Sequence, residues 1–159
     1  MSFQTTDLCD EFAAELAVCQ VELRSFGGRR RFSGPIATLR VYEDNVLVRA
    51  ALETLPAGTV LVVDGGGSRR CALLGDMLAQ IAVDRGLAGI VVNGCVRDSA
   101  ALAGMDVGVL ALGTSPLKSE KRGRGEKDVP LAFGGVVWNP GAFAYADEDG
   151  LVLADRPLR

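Results

Sequence analysis

The sequence predicts an α/β fold with central parallel βαβ units and short antiparallel strands at its C-terminal end. Near-continuous apolar runs lie at 59–63, 88–93 and 107–112, and helical segments separate them, which is typical of parallel strands covered on both faces. After residue 128 the apolar runs become short and are divided by Gly, Pro and Asp, which favours antiparallel strands. The 159 residues suit one domain with its own core, so we expect residues 1–159 to form a single domain.

Two helices are expected in the N-terminal third. Thr6 can cap the first helix, and apolar residues at helical spacing extend it to about Val18. Asn45 can cap the second helix, which should end near Leu55 because Pro56 follows. Short strands rich in β-forming residues are expected between the two helices, over 21–26 and 36–42.

The remaining elements follow from the apolar runs. Helices are expected after the first two runs, over 76–85 and 98–103. A polar loop should cover 114–128. The C-terminal strands are expected over 129–133, 135–138 and 151–153.

The composition excludes several classes of functional site. The chain has no histidine, so Ser–His–Asp and Cys–His nucleophile pairs and His-ligated metal sites are impossible within it. Any general acid–base catalysis must therefore be performed by Asp, Glu, Lys, Tyr, Cys or a metal-bound water. The net charge of −3 gives no basic field over the whole protein, so neither nucleic acid nor a membrane is an expected partner.

The cysteine pattern and the N-terminal sequence favour a cytoplasmic protein with reduced thiols. The cysteines form no CxxC pair, and we expect them to be small core residues. The N-terminus is polar and acidic, unlike a signal peptide, and no apolar run approaches the roughly 20 residues of a membrane span. The four cysteines of the chain are Cys9, Cys19, Cys71 and Cys95.

A glycine cluster follows the first apolar run, in VLVVDGGGS (60–68). A strand followed by an acid and three glycines is similar to loops that hold S-adenosylmethionine or a dinucleotide. The spacing is not GxGxxG, no GK[ST] follows, and the next strand ends in Asn93 where nucleotide folds place an acid. We therefore interpret this segment as a loop that shapes a pocket.

Two segments at the ends of predicted strands carry the candidate site residues. Gly75-Asp76-Met77-Leu78 begins a helix, whose free N–H groups can bind a small anion such as a carboxylate. Arg97-Asp98 follows the second apolar run, where ligands of open α/β sheets bind. An Arg beside an Asp can bind an α-keto acid and a divalent metal together. Alternatively, Asp98 caps the short helix and Arg97 is a surface charge.

The polar loop 114–128 contains all three lysines of the chain, Lys118, Lys121 and Lys127. A Schiff-base lysine needs desolvation to lower its pKa, and a polar loop is a poor place for it. We expect a solvated, mobile loop; an active-site lid or a subunit contact is the alternative.

Several segments together resemble the RraA-like family, which includes the regulator of ribonuclease E activity A and the 4-hydroxy-4-methyl-2-oxoglutarate aldolases. They are TTDLCDEF, FGGRRRFSGPIATLRVYEDN, VLVVDGGGSRRCALLGDMLA, NGCVRD, DVGVLALGTSPLKSEKRGRGEKDV and FGGVVWNPGAFAYADEDGLVL. The resemblance covers nearly the whole chain. It implies a compact layered sandwich of the αββα type that assembles as a homotrimer.

The resemblance also implies the role of each candidate site residue. The family divides on a motif of Asp, twenty residues and Arg-Asp, and Asp76, Arg97 and Asp98 complete the aldolase pattern. Gly75, Asp76, Met77 and Leu78 would then bind substrate, largely through backbone N–H groups. Arg97 would bind substrate, and Asp98 would hold the divalent metal, Mg²⁺ or Mn²⁺, partly through water. Because the chain has no histidine, we expect a metal-bound water to accept the proton, with Asp76 as a second candidate for orienting that water. Larger aldolases add an acid from a neighbouring subunit, which has no clear counterpart in this chain.

The function implied by the resemblance is a metal-dependent carbon–carbon lyase. It would cleave 4-hydroxy-4-methyl-2-oxoglutarate to two pyruvates and decarboxylate oxaloacetate as a side activity, since both reactions pass through a pyruvate enolate. The competing interpretation is a non-catalytic protein that inhibits a ribonuclease E-type RNA-degrading complex by contact with its ribonuclease or helicase.

Overall fold

The computed structural model describes residues 2–158, and within that range it contains four α-helices and twelve strands. The helices are α1 (Thr5–Glu11), α2 (Val46–Thr54), α3 (Asp76–Asp84) and α4 (Ser99–Leu102), with a 3₁₀ turn at Ala13–Glu15. The first six strands are β1 (Leu16–Val18), β2 (Arg24–Ser25), β3 (Phe32–Arg40), β4 (Val60–Asp64), β5 (Ala72–Leu74) and β6 (Gly89–Val96). The others are β7 (Gly108–Thr114), β8 (Glu126–Lys127), β9 (Leu131–Phe133), β10 (Val136–Trp138), β11 (Phe143–Asp147) and β12 (Gly150–Ala154).

Four parallel strands form the centre of the main sheet, in the order β3-β4-β6-β7. A helix follows each of the first three, so β3-α2-β4, β4-α3-β6 and β6-α4-β7 are three βαβ units. The predicted parallel βαβ units are thereby confirmed. The short strand β5 pairs in parallel with the carboxyl end of β6. The carboxyl ends of β5 and β6 therefore lie side by side.

Strand β3 joins this parallel region to an antiparallel one. Its first part, Phe32–Pro35, pairs antiparallel with β11, and Ile36–Arg40 pairs in parallel with β4. The antiparallel region continues from β11 through β12 to β1, and β9 and β10 form a separate hairpin. The expectation of short antiparallel strands at the C-terminal end is confirmed.

Successive side chains of the central strands point to opposite faces of the sheet, and this divides the core into layers. Leu61 and Val63 pack toward the helices α2 and α3, whereas Val60 and Val62 pack with Trp138 and the antiparallel strands. A third cluster lies on the outer face of the antiparallel region, where α1 contributes Leu8, which is buried against Tyr145, Val152, Ala154 and Leu158. The order of layers is helix, sheet, sheet, helix, so the αββα sandwich is confirmed.

The prediction for the first helix was wrong at both ends. The helix begins at Thr5 with Gln4 as its N-cap residue, and Thr6 is not the cap. The amide and hydroxyl of Thr5 both donate to the Asp147 carboxylate, at 2.7 and 2.6 Å, which fixes the start. The helix stops at Glu11, because residues 16–18 pair with β12 instead of continuing the helical periodicity.

Other differences concern individual elements. Asn45 precedes α2 as predicted, but the first-turn amide of Val46 donates to Asp44 Oδ1 at 3.1 Å. Strands β5 and β11 were not predicted; β11 is rich in alanine and depends on pairing with a neighbour on each side. Of the run 21–26 only Arg24–Ser25 is a strand.

None of the helices within residues 2–158 combines the length and the apolar character needed to cross a bilayer.

Candidate active site

A cavity of about 460 Å³ opens at the carboxyl ends of β5 and β6. This is the edge at which ligands of open α/β sheets bind. All the candidate residues named from the sequence line this cavity, so the structure brings both segments together. Leu78 is buried and Met77 is exposed, while the others lie between β6 and α3 at the opening. The six are Gly75, Asp76, Met77, Leu78, Arg97 and Asp98.

Asp98 turns its carboxylate away from its own helix. It occupies the N-cap position of α4, but its side chain makes no capping hydrogen bond there. Instead, Asp98 Oδ2 accepts the backbone N–H of Asp76 at 3.0 Å, at the start of α3. The backbone of Asp98 is left-handed, with φ 60° and ψ 41°, a conformation that Asp tolerates better than most residues. The alternative in which the Asp98 side chain caps the short helix is therefore not what the structure shows.

Arg97 is held by the strand that precedes it. Its backbone N–H donates to Leu74 O at 2.9 Å, which continues the pairing between β5 and β6 by one residue. A Cβ at Gly75 would lie 3.3 Å from Arg97 Cγ and 2.7 Å from Asp98 Oδ2. The absence of a side chain at Gly75 is thus what lets Arg97 and Asp98 approach the start of α3.

The start of α3 and the Arg97 guanidinium together suit a small anion. The first hydrogen bond within α3 runs from the Ala79 amide to Gly75 O, so the amides of Met77 and Leu78 have no acceptor in the helix. The positive end of the helix dipole lies at the same place. No ion pair of Arg97 is found among residues 2–158. An unpaired guanidinium beside free amides is a suitable arrangement for a carboxylate or an enolate oxygen.

The donor set at the opening is compatible with a hard divalent cation that is bound together with a substrate. In the described part of the chain, no three His, Cys, Asp or Glu residues cluster in a way that could hold a metal. The cavity contains the carboxylates of Asp76 and Asp98, and one Asp98 oxygen already accepts an amide. Mg²⁺ usually keeps several waters and needs only one or two carboxylates plus substrate oxygens. The residues present therefore fit an open site and do not form a closed cage.

The cavity is also lined by polar residues that the sequence did not identify as part of one site. Asn45 Nδ2 donates to Leu73 O at 3.3 Å, and Lys121 Nζ donates to Asn45 Oδ1 at 3.0 Å. Their polarity is visible in the sequence, but their meeting depends on the packing of the 114–128 segment against α2. The additional polar or charged lining residues are Asn45, Arg49, Glu53, Lys118, Ser119 and Lys121.

The buried carboxylate of Asp44 binds backbone amides of the 114–128 segment, which contains the three lysines. Asp44 is 2% exposed and accepts the amides of Val46, Arg122 and Arg124 at 3.1, 2.8 and 3.3 Å. Burial alone would raise the pKa of Asp44, but these amide hydrogen bonds outweigh it and hold the pKa below its usual value. Residues 121–128 are largely exposed, as expected of a solvated loop, yet the segment is anchored beside the cavity and forms part of its wall.

Comparison with known proteins agrees with this geometry. The sequence model of the RraA-like family, described as Aldolase/RraA, matches residues 5–153. The chain belongs to the RraA-like family. A Bacillus cereus relative, provisionally named 4-hydroxy-4-methyl-2-oxoglutarate aldolase, is 56% identical over 156 residues, 98% of each chain. A relative from Alkalilimnicola ehrlichii with the same provisional name is 57% identical over 158 residues, 99% of this chain and 98% of its own.

Two solved structures of high similarity carry other names. A Geobacillus kaustophilus protein described as S-adenosylmethionine:2-dimethylmenaquinone methyltransferase is 63% identical, with a TM-score of 0.97 over 98% of this chain and 97% of its own. The RNA-processing inhibitor RraA from Thermus thermophilis is 52% identical, with a TM-score of 0.96 over 100% of this chain and 96% of its own. The relatives of this RraA-like chain thus agree on the fold and differ in the activity that their names state.

The glycine loop of this RraA-like protein uses its amides internally. The Gly66 amide donates to Asp64 Oδ1 at 2.9 Å, and the amides of Gly65 and Gly67 both donate to Asn93 O, at 3.0 and 3.1 Å. The Asn93 side chain also donates to Asp64 Oδ1, at 2.9 Å. Amides that are already occupied cannot hold a phosphate or the carboxylate of a cofactor. The predicted role of this loop in shaping a pocket does not extend to the cavity described above, because none of residues 60–68 lines it.

The four cysteines are free thiols. Cys71 and Cys95 are buried as expected of core residues, whereas Cys9 and Cys19 are half-buried. Burial raises the pKa of each of the four thiols. Raised pKa values keep the thiols protonated and poorly nucleophilic at neutral pH.

Proposed function

We propose that this RraA-like chain is a divalent-metal-dependent carbon–carbon lyase that cleaves 4-hydroxy-4-methyl-2-oxoglutarate to two pyruvates and decarboxylates oxaloacetate as a side activity. The observation that carries the proposal is the Asp98 carboxylate turned to the Asp76 amide, beside an Arg97 that has no ion pair within residues 2–158. The names of the relatives at 56% and 57% identity support the same reaction class.

Substrate binding follows from the groups at the opening. The C1 carboxylate of an oxo acid would accept the amides of Met77 and Leu78 at the start of α3. The Arg97 guanidinium would then lie against the C2 oxygen. Bound Mg²⁺ or Mn²⁺, held by Asp98 with Asp76 close by, would supply Lewis-acid polarisation of the oxo acid.

The cleavage needs one proton acceptor and one stabilised oxygen. The C4 hydroxyl loses its proton, the C3–C4 bond breaks, and its electron pair moves onto the C2 oxygen to give the enolate of one pyruvate and a free second pyruvate. Arg97 would stabilise the enolate oxygen through a fixed, charge-assisted hydrogen bond. Because the chain has no histidine, the Asp76 carboxylate is the chain's candidate for orienting the water that takes the proton. Protonation of the enolate at C3 completes the reaction.

Oxaloacetate would reach the same enolate by a different bond cleavage. Loss of its C4 carboxylate as CO₂ leaves the electron pair on the C2 oxygen, where Arg97 would act unchanged. One arrangement of side chains therefore accounts for both activities.

A regulatory role is the second candidate, because the RraA of Thermus thermophilis, named as an RNA-processing inhibitor, is 52% identical. In that role the chain would inhibit a ribonuclease E-type complex by contact with its ribonuclease or helicase, and the cavity would not matter. A methyltransferase function is not supported, because the amides of the glycine loop are occupied internally.

The test compares Arg97→Ala and Asp98→Ala in a pyruvate-release assay during a Mg²⁺ titration. We expect Arg97→Ala to lose about 10²–10³ in kcat, since one preorganised charge-stabilising donor is worth that much, and extra Mg²⁺ should not restore it. Asp98→Ala should need more Mg²⁺ and regain part of its rate at high concentration. Arg97→Lys should remain poor, because an ammonium lacks the planar fork.

Circular dichroism of each variant serves as the folding control. If folded Arg97→Ala retains nearly the activity of the unmodified chain, the site lies elsewhere. If no 2-oxo acid is cleaved at all but the chain inhibits a purified ribonuclease E-type enzyme, the regulatory role is the correct one.

A further inference from the structure

The short link between β3 and α2 is bonded to two other parts of the chain that border the cavity. Asn45 Nδ2 donates to Leu73 O at 3.3 Å, on strand β5. The Asn45 amide donates to Glu120 O at 3.3 Å, and the Glu120 amide donates to Glu43 O at 2.8 Å. The link therefore joins β5, which leads into α3, to the segment that follows β7.

Asp44 lies in the middle of this link, and its carboxylate is buried. Oδ1 accepts the amide of Val46, at the start of α2, at 3.1 Å. Oδ2 accepts the amides of Arg122 and Arg124, at 2.8 and 3.3 Å. A buried carboxylate without such donors is costly, so the segment cannot move away from Asp44 without leaving a charge unpaired.

The segment that Asp44 binds supplies part of the cavity lining, through Lys118, Ser119 and Lys121. Residues 120–128 are exposed, so burial of apolar side chains contributes little to their position. Their position depends instead on hydrogen bonds to the link and on the short pairing of β8 with β3. Asp44 itself does not line the cavity.

We propose that Asp44 is a positioning residue of the lyase site, which sets the affinity for the 2-oxo acid by holding residues 118–124 in place at the cavity. The proposal rests on the proposed function, because it assumes that the cavity binds such an acid. Asp44 acts only through backbone amides. The groups assigned to the reaction, Arg97, Asp98 and Asp76, lie on β6 and α3 and at their ends, outside the segment that Asp44 holds. Loss of Asp44 should therefore weaken substrate binding and spare bond cleavage.

The test is the steady-state kinetics of Asp44→Asn in the pyruvate-release assay. Asparagine has the same shape, but its Nδ2 cannot accept an amide, so either α2 or the segment loses its acceptor. We expect KM to rise about 10-fold to 100-fold, which corresponds to one lost hydrogen bond between the cavity and a charged substrate. The kcat and the Mg²⁺ concentration that gives half the maximal rate should change by less than about threefold, because only uniform binding is lost.

Asp147→Asn is the matched control, because Asp147 is also a carboxylate with three donors but lies outside this cavity. It accepts the amide and hydroxyl of Thr5 at 2.7 and 2.6 Å and the amide of Asp149 at 3.0 Å. Both variants should unfold at a lower Tm, but only Asp44→Asn should raise KM. Hydrogen exchange read by mass spectrometry should be faster over 118–125 in Asp44→Asn and unchanged there in Asp147→Asn.

Arg122→Pro tests the same contact from the other side and keeps the proposal testable if Asp44→Asn does not fold. Proline removes the amide that donates to Asp44 Oδ2 at 2.8 Å. Arg122→Ala keeps that amide and removes only an exposed side chain that pairs with Glu120, so its KM should be that of the unmodified chain. Arg122→Pro should raise KM, and the double variant with Asp44→Asn should raise it by less than the product of the two single effects, because both remove one contact.

The outcomes separate this proposal from the proposed function. If the unmodified chain releases pyruvate and folded Asp44→Asn keeps its KM, the positioning role is refuted and the proposed function stands. The same conclusion follows if Asp147→Asn raises KM as much as Asp44→Asn does, since general destabilisation would then explain both. If the unmodified chain releases no pyruvate from any 2-oxo acid, both are refuted.

Discussion

Substituting Gly75 by alanine tests whether the close approach of β6 to α3 is needed for activity. The new Cβ would lie 2.7 Å from Asp98 Oδ2, which is closer than a carbon and an oxygen can pack. Asp98 Oδ2 would therefore move by roughly half an ångström or more, and its 3.0 Å hydrogen bond from the Asp76 amide would lengthen or break. Arg97 Cγ, at 3.3 Å from the same Cβ, would shift as well.

The expected result is a large loss of activity with a small change in stability. Gly75 has φ −131°, which alanine adopts without strain, and the atom that must move is the end of an exposed side chain. The lost hydrogen bond is partly offset by the lower entropy of the unfolded alanine chain, so the Tm should change by no more than about 4 °C. Displacement of catalytic groups by about 1 Å costs on the order of 10²-fold in rate, and we expect kcat/KM to fall by about that factor.

The assay is pyruvate release from 4-hydroxy-4-methyl-2-oxoglutarate, with Tm measured in parallel. Gly104→Ala is the matched control, because its added Cβ would have only one ordinary contact, 3.8 Å from Ala101 O. It should keep full activity. A folded Gly75→Ala variant within about threefold of the unmodified chain would refute the idea that the contact between Asp98 and Asp76 organises the site.

Three further predictions concern stability, chemistry and assembly. The pKa of Asp44 is lowered in the folded chain, so its stabilising effect is present above its usual pKa and is lost as the pH falls; Asp44→Asn should be less stable by about 2 kcal/mol at pH 7. Its Tm should also fall less than that of the unmodified chain between about pH 5 and pH 3, and parallel curves would contradict this. Borohydride added during turnover should leave no pyruvate adduct on Lys118 or Lys121, whereas excess EDTA should abolish activity; a lysine adduct seen by mass spectrometry would show Schiff-base chemistry. Light scattering should give about three times the chain mass of 16.7 kDa, and a stable monomer at micromolar concentration would exclude the homotrimer.

The parallel centre of the fold was predictable because burial on both faces imposes a pattern that the sequence shows directly. A strand covered by helices on one side and by a second sheet on the other needs apolar residues at every position, as Val60–Val63 have. Strand β11 has no such pattern. Its alanines, Ala144 and Ala146, are poor strand formers, and its pairing with both β3 and β12 is a tertiary effect that local propensity does not predict. The same applies to β1, where pairing with β12 overrides a helical periodicity.

Only the part of the candidate site formed by Gly75–Leu78 and Arg97-Asp98 was predictable from the sequence. Gly75 to Leu78 and Arg97-Asp98 follow the rule that ligands bind where strands end, and the structure places them at one opening. Ser119 and Lys121 gave no comparable signal, since a serine among charged residues in a polar segment is typical of a solvated loop. Their position depends on the Asp44 carboxylate, whose partners are backbone amides of that segment. A sequence does not indicate which amides a buried carboxylate will bind.

The left-handed backbone of Asp98 is what allows Arg97 and Asp98, which are adjacent in the chain, to lie at the same cavity opening. Along a strand successive side chains point to opposite faces, so a continued β6 would separate Asp98 from Arg97. Arg97 still pairs with Leu74 O as a strand residue does, and the turn at φ 60° then directs the Asp98 carboxylate to the Asp76 amide.

Asp98→Asn therefore separates the geometry of the site from its charge. Asparagine also tolerates a positive φ, and its side-chain oxygen can accept the same amide, so the variant should keep its fold and its contact with Asp76. A neutral oxygen is a much weaker ligand for a hard cation, so we expect the Mg²⁺ requirement to rise about as much as in Asp98→Ala. Mg²⁺ titration of both variants, with Tm as the measure of structure, is the experiment. Full activity of Asp98→Asn at the Mg²⁺ concentration that saturates the unmodified chain would mean that Asp98 shapes the site and does not hold the metal.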